Sequence, residues 1–185
     1  MKKHLFKDLI ILCVIVAAAA LIAVNVKIQS VGDYYLTNPD AIPDGSETVF
    51  LSIECGVLLK PENWNKLADG LKDEKYVPED GVILAETKYL LRSGDTVFKL
   101  LSRAARYNKI PLVHQGASRN IYNSVYIQGI NHLFERSCGD LSGWVYYVNG
   151  VSPGLGCGEY KPKDKDKIEW KYTCDIGNDT GGFAG

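Results

Sequence analysis

The sequence CGDLSGWVYYVNGVSPGLGCGEYKPKDKDKIEWKYTC, residues 138–174, contains the clearest pair of strands in this chain. In residues 144–149 large side chains alternate with a period of two, which is typical of a strand. Asn149-Gly150 predicts a tight turn at the end of that strand. After a loop rich in glycine and proline, residues 168–172 repeat the alternation and place three large apolar side chains on one face. That face is expected to be either core or a binding surface.

The N-terminal part of the chain is predicted to enter a membrane. Residues 9–24, LIILCVIVAAAALIAV, contain no charge, and lysines flank the run. A comfortable span needs about 20 apolar residues and a secretory h-region about 7–15, so this run lies between the two. We favour an uncleaved signal anchor, a single transmembrane helix at residues 1–26. Cleavage near residues 17–20 is the alternative and would give a secreted protein. In both cases the basic end stays in the cytoplasm and the C-terminal domain is extracellular.

The exported part contains an even number of cysteines, namely Cys55, Cys138, Cys157 and Cys174. In an oxidising compartment four cysteines predict two disulfides, with three possible connectivities. Zinc is the competing use, but there is no Cys-x-x-Cys pair, so no metal site is expected. A remaining free thiol is the third alternative.

The charge balance disfavours nucleic acid as a partner. Without the charged residues of the N-terminal flank, 18 basic and 21 acidic side chains remain, a net charge of −3. A mildly acidic domain is poorly suited to bind a phosphate backbone.

The order of predicted elements indicates an α+β domain. Strands are predicted at 48–54, 82–92, 124–128, 130–136, 144–149 and 167–173, a short helix at 61–71, and a long amphipathic helix from a cap at Ser93 or Asp95 to near Asn108. This order suggests a β-grasp-like mixed sheet with one long helix and with the last strand beside the first. That neighbourhood would pair Cys55 with Cys174 and leave Cys138 for Cys157.

The predicted organisation is therefore an anchor at residues 1–26, a linker at 27–47, a β-grasp-like domain at 48–176 and a flexible tail at 177–185. The linker has two prolines and no sustained hydrophobic period.

Several segments, in the same order, resemble the transcobalamin C-terminal-like domains of bacterial cell-surface proteins, which belong to the soluble-ligand-binding β-grasp group. The segments are SIECGVLL, VPEDGVIL, SGDTVFKLL, YIQGINHL, SGWVYYVNG, GCGEY and IEWKYTC, within residues 48–175. The resemblance implies a β-grasp-like fold and a module that binds a ligand at the cell surface. It does not imply cobalamin directly, because the helical barrel that completes the cobalamin site in the vertebrate carriers has no counterpart in a chain of this length. In the turn before the last strand the usual Gly-Asp is replaced by Asp164-Lys165-Asp166-Lys167.

No catalytic constellation is found, and we expect neither an enzyme nor a bound cofactor. The histidines are isolated, and the serines near glycines lack the spacing of a nucleophile elbow. The candidate ligand-binding residues are aromatic side chains and the loop beside Cys157. They are Trp144, Tyr146, Tyr147, Pro153, Leu155, Trp170 and Tyr172. These rings are either core or covered by residues 56–81, or they line a groove for a planar or amphipathic ligand.

The expected function is a membrane-tethered extracellular module that captures a small hydrophobic nutrient, for instance a corrinoid such as cobalamin, and passes it to a membrane transporter component. The alternative is a cell-surface adhesion or assembly module that binds protein or cell-wall glycan. Both predict a single-pass location at the bacterial cell membrane.

Overall fold

The computed structural model describes residues 41–119 and 124–181, all within the compact unit Leu36–Gly185. The predicted anchor and most of the predicted linker lie outside the described residues. Within the described ranges no helix has the length and apolarity needed to cross a bilayer. The domain is mixed α+β, with two sheets and few helices, which confirms the predicted class.

The described part of the chain contains seven strands and two α-helices, joined by short 3-10 turns. The strands are β1 (Thr48–Glu54), β2 (Val82–Leu90), β3 (Leu112–Gln115), β4 (Tyr126–Ile130), β5 (Leu133–Phe134), β6 (Gly143–Val148) and β7 (Lys167–Thr173), and the helices are α1 (Pro61–Trp64) and α2 (Val97–Tyr107).

The larger sheet has the strand order β2-β1-β7-β6. The β1–β7 pair is parallel and the other two pairs are antiparallel. The last strand therefore lies beside the first, as predicted. The remaining strands form a separate three-stranded antiparallel sheet, β3-β4-β5, so the expected single sheet is corrected to two.

The register of the larger sheet explains the alternation in the sequence. Leu51 is opposite Ile168, and Ile53 is opposite Trp170. Trp170 is in turn opposite Tyr146, so these side chains share one face. The apolar stripe of α2, which includes Leu100, Leu101 and Ala104, belongs to the same buried cluster.

Helix α2 is capped by a different residue than predicted. Thr96 Oγ1 accepts a hydrogen bond from the Lys99 amide at 3.3 Å. Asp95 instead forms a buried two-pronged ion pair with Arg103, at 2.8 and 3.0 Å. Its carboxylate also accepts from the Arg92 amide at 2.9 Å. The acidic side chain is thus used to join α2 to the end of β2.

Two other predictions from periodicity are corrected. The helix expected at 61–71 ends at Trp64, and a 3-10 turn at Asp69–Leu71 follows. Asparagine, aspartate and glycine are weak helix formers, and they occupy much of this segment. Strand β3 was not predicted, because four residues are too short for a period of two to be recognised.

The C-terminal segment of residues 175–181 contacts the sheet, although a flexible tail was expected from residue 177. Thr173 Oγ1 donates to Asp179, and the Gly177 amide donates to Thr173 Oγ1 at 2.7 Å. The hydroxyls of Tyr147 and Thr180 share a hydrogen bond. This segment therefore helps to cover the face of the larger sheet that is opposite Trp170. The last four residues lie outside the described ranges.

Candidate functional site

Four of the predicted ligand-binding rings are core residues. Trp144, Tyr147, Trp170 and Tyr172 are between 1% and 9% exposed. Trp144 and Tyr172 pack edge to face, with ring centroids 5.3 Å apart. The Trp144 indole donates to the Leu133 carbonyl at 2.8 Å, and the Tyr172 hydroxyl donates to the Phe134 carbonyl at 2.7 Å. Of the two interpretations left open by the sequence, the core interpretation holds for these four rings.

Tyr146 lies between this core and the surface. Its half-buried ring packs on Trp170 with centroids 5.3 Å apart. Its hydroxyl donates to the Leu155 carbonyl at 2.6 Å. Burial is the main cause that raises the pKa of Tyr146, with Cys157, Tyr160 and Glu159 adding to it. The hydroxyl therefore remains protonated at neutral pH and keeps its role as donor.

The loop of residues 151–160, here called the rim loop, borders a surface hollow of about 430 Å³. This rim hollow is lined by Ser124, Val125, Tyr126, Gly154, Leu155, Gly156 and Glu159. Leu155, at 52% exposed, offers apolar surface, and Glu159 adds a carboxylate. A volume of this size lies within the usual range of small-molecule sites. Of the seven predicted ligand-binding residues, only Leu155 lines the rim hollow, and Pro153 is a half-buried neighbour in the same loop.

Two glycines let the rim loop pass close to the segment that begins at Ser124. A Cβ on Gly156 would lie 1.9 Å from Ser124 Oγ, and a Cβ on Gly158 would lie 2.9 Å from Val125 Cγ2. Neither position tolerates a side chain unless its neighbour moves. The sequence Gly-Cys-Gly is thus needed for the close approach that forms one wall of the rim hollow.

The rim loop is held by hydrogen bonds to the start of α2 and to the residue before β4. The amides of Val97 and Phe98 donate to the carbonyls of Tyr160 and Cys157, at 3.1 and 2.8 Å. The first amides of a helix have no partner within the helix, so loop carbonyls satisfy them here. The Cys157 thiol donates to the Val125 carbonyl at 3.3 Å. These contacts take the place of the disulfide that was expected to fix the loop.

The cysteines are arranged differently from the predicted pairs. All four are free thiols, so neither predicted disulfide is formed. Cys174 lies instead beside Cys138, with 2.9 Å between their sulfur atoms. Burial raises the pKa of Cys55 and of Cys157 to about 12 in each case. Cys174 directly follows β7, as predicted.

Other ionisable groups of the described residues do not gather into a reactive cluster. Within residues 41–119 and 124–181, no group of three or more His, Cys, Asp or Glu side chains could hold a metal ion. The His114 ring packs on Phe98, with centroids 4.6 Å apart, and the His132 ring packs on Tyr76 at 5.2 Å.

The elements around the rim hollow fall in one continuous part of the sequence, from α2 to β7. Residues 94–174 match the family described as a domain of unknown function, DUF4430. No curated protein matches the chain. The DUF4430 match covers somewhat less than half of the 185 residues. It includes α2, the small sheet, the rim loop and the last two strands, whereas β1 and β2 lie outside it.

Sequence reasoning missed most of the lining of the rim hollow. The sequence predicts only a strand for Ser124, Val125 and Tyr126, and it gives no signal for Glu159. One usable signal was the pair of glycines on either side of Cys157, which indicates close backbone approach. Nothing in the sequence says which segment approaches them.

Proposed function

We propose that residues 48–176 form a β-grasp-like extracellular module, tethered by the N-terminal apolar segment, that binds a small ligand in the rim hollow. The observation that carries this proposal is the rim hollow itself, with half-exposed Leu155 in its wall. The parallel pairing of the first and last strands supports the β-grasp assignment. The DUF4430 match is consistent with kinship to the transcobalamin C-terminal-like domains.

The lining favours a ligand that is mainly apolar. Leu155 and Val125 offer hydrocarbon surface, while Tyr126, Ser124 and Glu159 supply polar groups that would orient a ligand. A corrinoid ring is larger than this hollow, so a corrinoid would insert only a side group or an edge. A transporter component of the membrane would then receive the ligand. We propose binding without catalysis.

The test is binding of a defined ligand panel to the full chain in detergent, before and after a change at Leu155. The panel contains cyanocobalamin, haem and a series of small apolar acids and amines. The matched control is Leu141→Asp, because Leu141 is also 52% exposed but does not line the rim hollow. For any panel member that binds the unaltered chain, we expect Leu155→Asp to weaken binding at least tenfold and Leu141→Asp to leave binding unchanged. No binding by any panel member, or equal loss in both variants, contradicts the proposal.

Membrane tethering needs a separate test. The full chain should remain in the membrane fraction of bacterial cells, and external protease should digest residues 48–176 in intact cells. Recovery of the chain in the soluble cytoplasmic fraction contradicts the proposed location, whatever the binding result.

The small sheet favours a second candidate, adhesion to protein or to cell-wall glycan. Val113, Gly129 and Phe134 lie in one row across β3, β4 and β5. Val113 and Phe134 are exposed, at 41% and 40%. Flat apolar strips of this kind occur at interaction sites. Sedimentation with purified cell wall that is lost in Phe134→Ser, but kept in Leu155→Asp, would favour this candidate over the first.

A further inference from the structure

Cys138 and Cys174 occupy adjacent positions at one end of the β6–β7 pair. Their sulfur atoms are 2.9 Å apart, within about 1 Å of a covalent S–S bond. Cys174 follows β7 directly, and Cys138 lies in the turn before β6. Because Gly143 is opposite Thr173, the antiparallel register brings these two flanking segments together.

The backbones that carry the two thiols are already fixed. The Cys138 amide donates to Ser142 Oγ at 3.0 Å, and the Cys174 amide donates to the Asp179 carboxylate at 2.8 Å. The Tyr172 hydroxyl also contacts Ser142 Oγ, at 3.1 Å. A bond between the sulfur atoms therefore requires adjustment of the side chains and little movement of the main chain.

The other two described thiols have different surroundings. Cys55 is fully buried just past β1, and Cys157 donates its thiol to the Val125 carbonyl. Cys174 is partly exposed, so an oxidant can reach it from solvent.

We propose that Cys138 and Cys174 form an intramolecular disulfide that joins the start of the C-terminal segment to the turn before β6, while Cys55 and Cys157 remain thiols. The oxidant is a disulfide, either a small molecule or a protein oxidoreductase. The Cys174 thiolate attacks one sulfur of that disulfide and releases the first thiol. The Cys138 thiolate then attacks Cys174 Sγ and releases the second. Two protein thiols become one disulfide, and the oxidant gains both electrons and both protons.

The disulfide would fix the segment that covers Tyr147. Residues 175–181 begin at Cys174 and reach the sheet through Asp179 and Thr180. Oxidation would therefore stabilise this cover, and reduction would leave it attached by hydrogen bonds alone. This inference does not depend on the ligand proposed for the rim hollow.

The oxidation should be slow at neutral pH. Burial, followed by the Cys138 thiol and the Asp179 carboxylate, raises the pKa of Cys174, and Lys66 opposes the rise. The reactive thiolate is then a small fraction of Cys174. At pH values below that pKa, this fraction rises about tenfold for each unit by which the pH increases. We expect the rate of oxidation by glutathione disulfide to rise accordingly between pH 7 and pH 8.

Peptide mapping of the full chain tests the pairing. The chain in detergent is treated with glutathione disulfide, its remaining thiols are alkylated, and it is digested with trypsin and chymotrypsin. Trypsin alone is insufficient, because Cys138 and Cys157 share the fragment of residues 137–163. We expect a fragment with Cys138 joined to one with Cys174, and alkylation of Cys55 and Cys157. Linkage of Cys174 to Cys55 or Cys157, or its full alkylation, overturns the proposal.

Reduction gives an independent measurement. The melting temperature of the oxidised chain should fall by several degrees on reduction. The fall should persist in Cys157→Ala and disappear in Cys174→Ala. A fall that survives in Cys174→Ala contradicts the proposed bond even where the peptide map is incomplete.

Discussion

The β6–β7 pair of the larger sheet and the rim loop come from the same stretch of sequence, residues 138–174, yet they differ in what they present to solvent. The sheet carries large aromatic side chains, and its rings at Trp144, Trp170 and Tyr172 are buried. The rim loop carries no tryptophan, and its Leu155 is half exposed beside a hollow. Ring-rich sequence therefore marks the core in this domain, and the rim hollow lies where the chain is rich in glycine.

The difference arises from what covers each region. One face of the larger sheet packs in the core cluster with α2, and residues 175–181 contribute to the cover on the other. The rim loop is held from one side by α2 and by the residue before β4, and it is open on the other. Changes in the sheet should therefore act on stability, and changes in the rim loop should act on binding.

The largest effect is expected in the sheet, from Trp170→Ala. Removal of a buried ring should lower the free energy of unfolding by about 3–5 kcal/mol. Trp170→Phe should lower the free energy of unfolding clearly less, because the buried indole nitrogen of Trp170 has no hydrogen-bond partner to lose. Urea unfolding of the three proteins measures both values. An equal loss in the two variants would break the comparison, since the ring would then not be packed as the structure has it.

A smaller effect is expected where the rim loop meets Ser124, from Gly156→Ala. The new Cβ would overlap the Ser124 side chain, and overpacking of this kind typically costs about 1–3 kcal/mol. Gly70→Ala is the control, because a Cβ at Gly70 meets nothing within 4 Å. Thermal or urea unfolding should separate the two variants. If both variants are equally stable, the Ser124 side chain moves to admit the new Cβ. The wall of the rim hollow would then be less tightly packed than the sheet, in addition to being more exposed.

The C-terminal cover is tested by Tyr147→Phe, which removes the hydroxyl bonded to Thr180. The expected loss is about 0.5–1.5 kcal/mol, the net contribution of one hydrogen bond. Amide exchange of residues 175–181 should increase at the same time. Thr180→Val should lower the free energy of unfolding less in the Tyr147→Phe variant than in the unaltered chain, since both changes remove the same hydrogen bond. Fully additive losses would show that the two residues act independently.

The smallest effect on stability is expected from Leu155→Asp in the rim loop. An exposed substitution of this kind changes the free energy of unfolding by at most about 0.5 kcal/mol. The same variant is expected to lose ligand binding, so its unfolding curve is the control for that experiment. A destabilisation close to that of Trp170→Ala would place Leu155 in the core and remove the contrast between the two regions.

Much of the fold could be predicted from local pattern. Strands β1 and β7 both have the predicted bounds, and α2 lies where the apolar stripe predicts a helix. The place of the last strand beside the first was also predicted correctly. The cap and the short strand β3 were not, because several residues near Thr96 are good caps and four residues show too little alternation.

The candidate site could be predicted only in part. Leu155 is among the predicted site residues because it lies in the loop beside Cys157, where a disulfide is expected to hold the backbone in place. The segment from Ser124 was missed, since its proximity to Leu155 depends on how the small sheet packs beside the rim loop. Glu159 lies in the rim loop itself but was not singled out as a site residue. The proximity of Cys138 to Cys174 was missed as well, because it depends on the β6–β7 register and on the path of the turn before β6.

The sequence alone determined the first strand, the last two strands and the long helix, since side-chain periodicity is a local property that each segment carries by itself. It also determined that residues 138–174 supply an aromatic core or an aromatic surface. The tertiary structure decided between these two and placed the Cys138 and Cys174 thiols together. Burial and contact depend on which distant segments pack against a given face, and that packing is set by the whole chain at once.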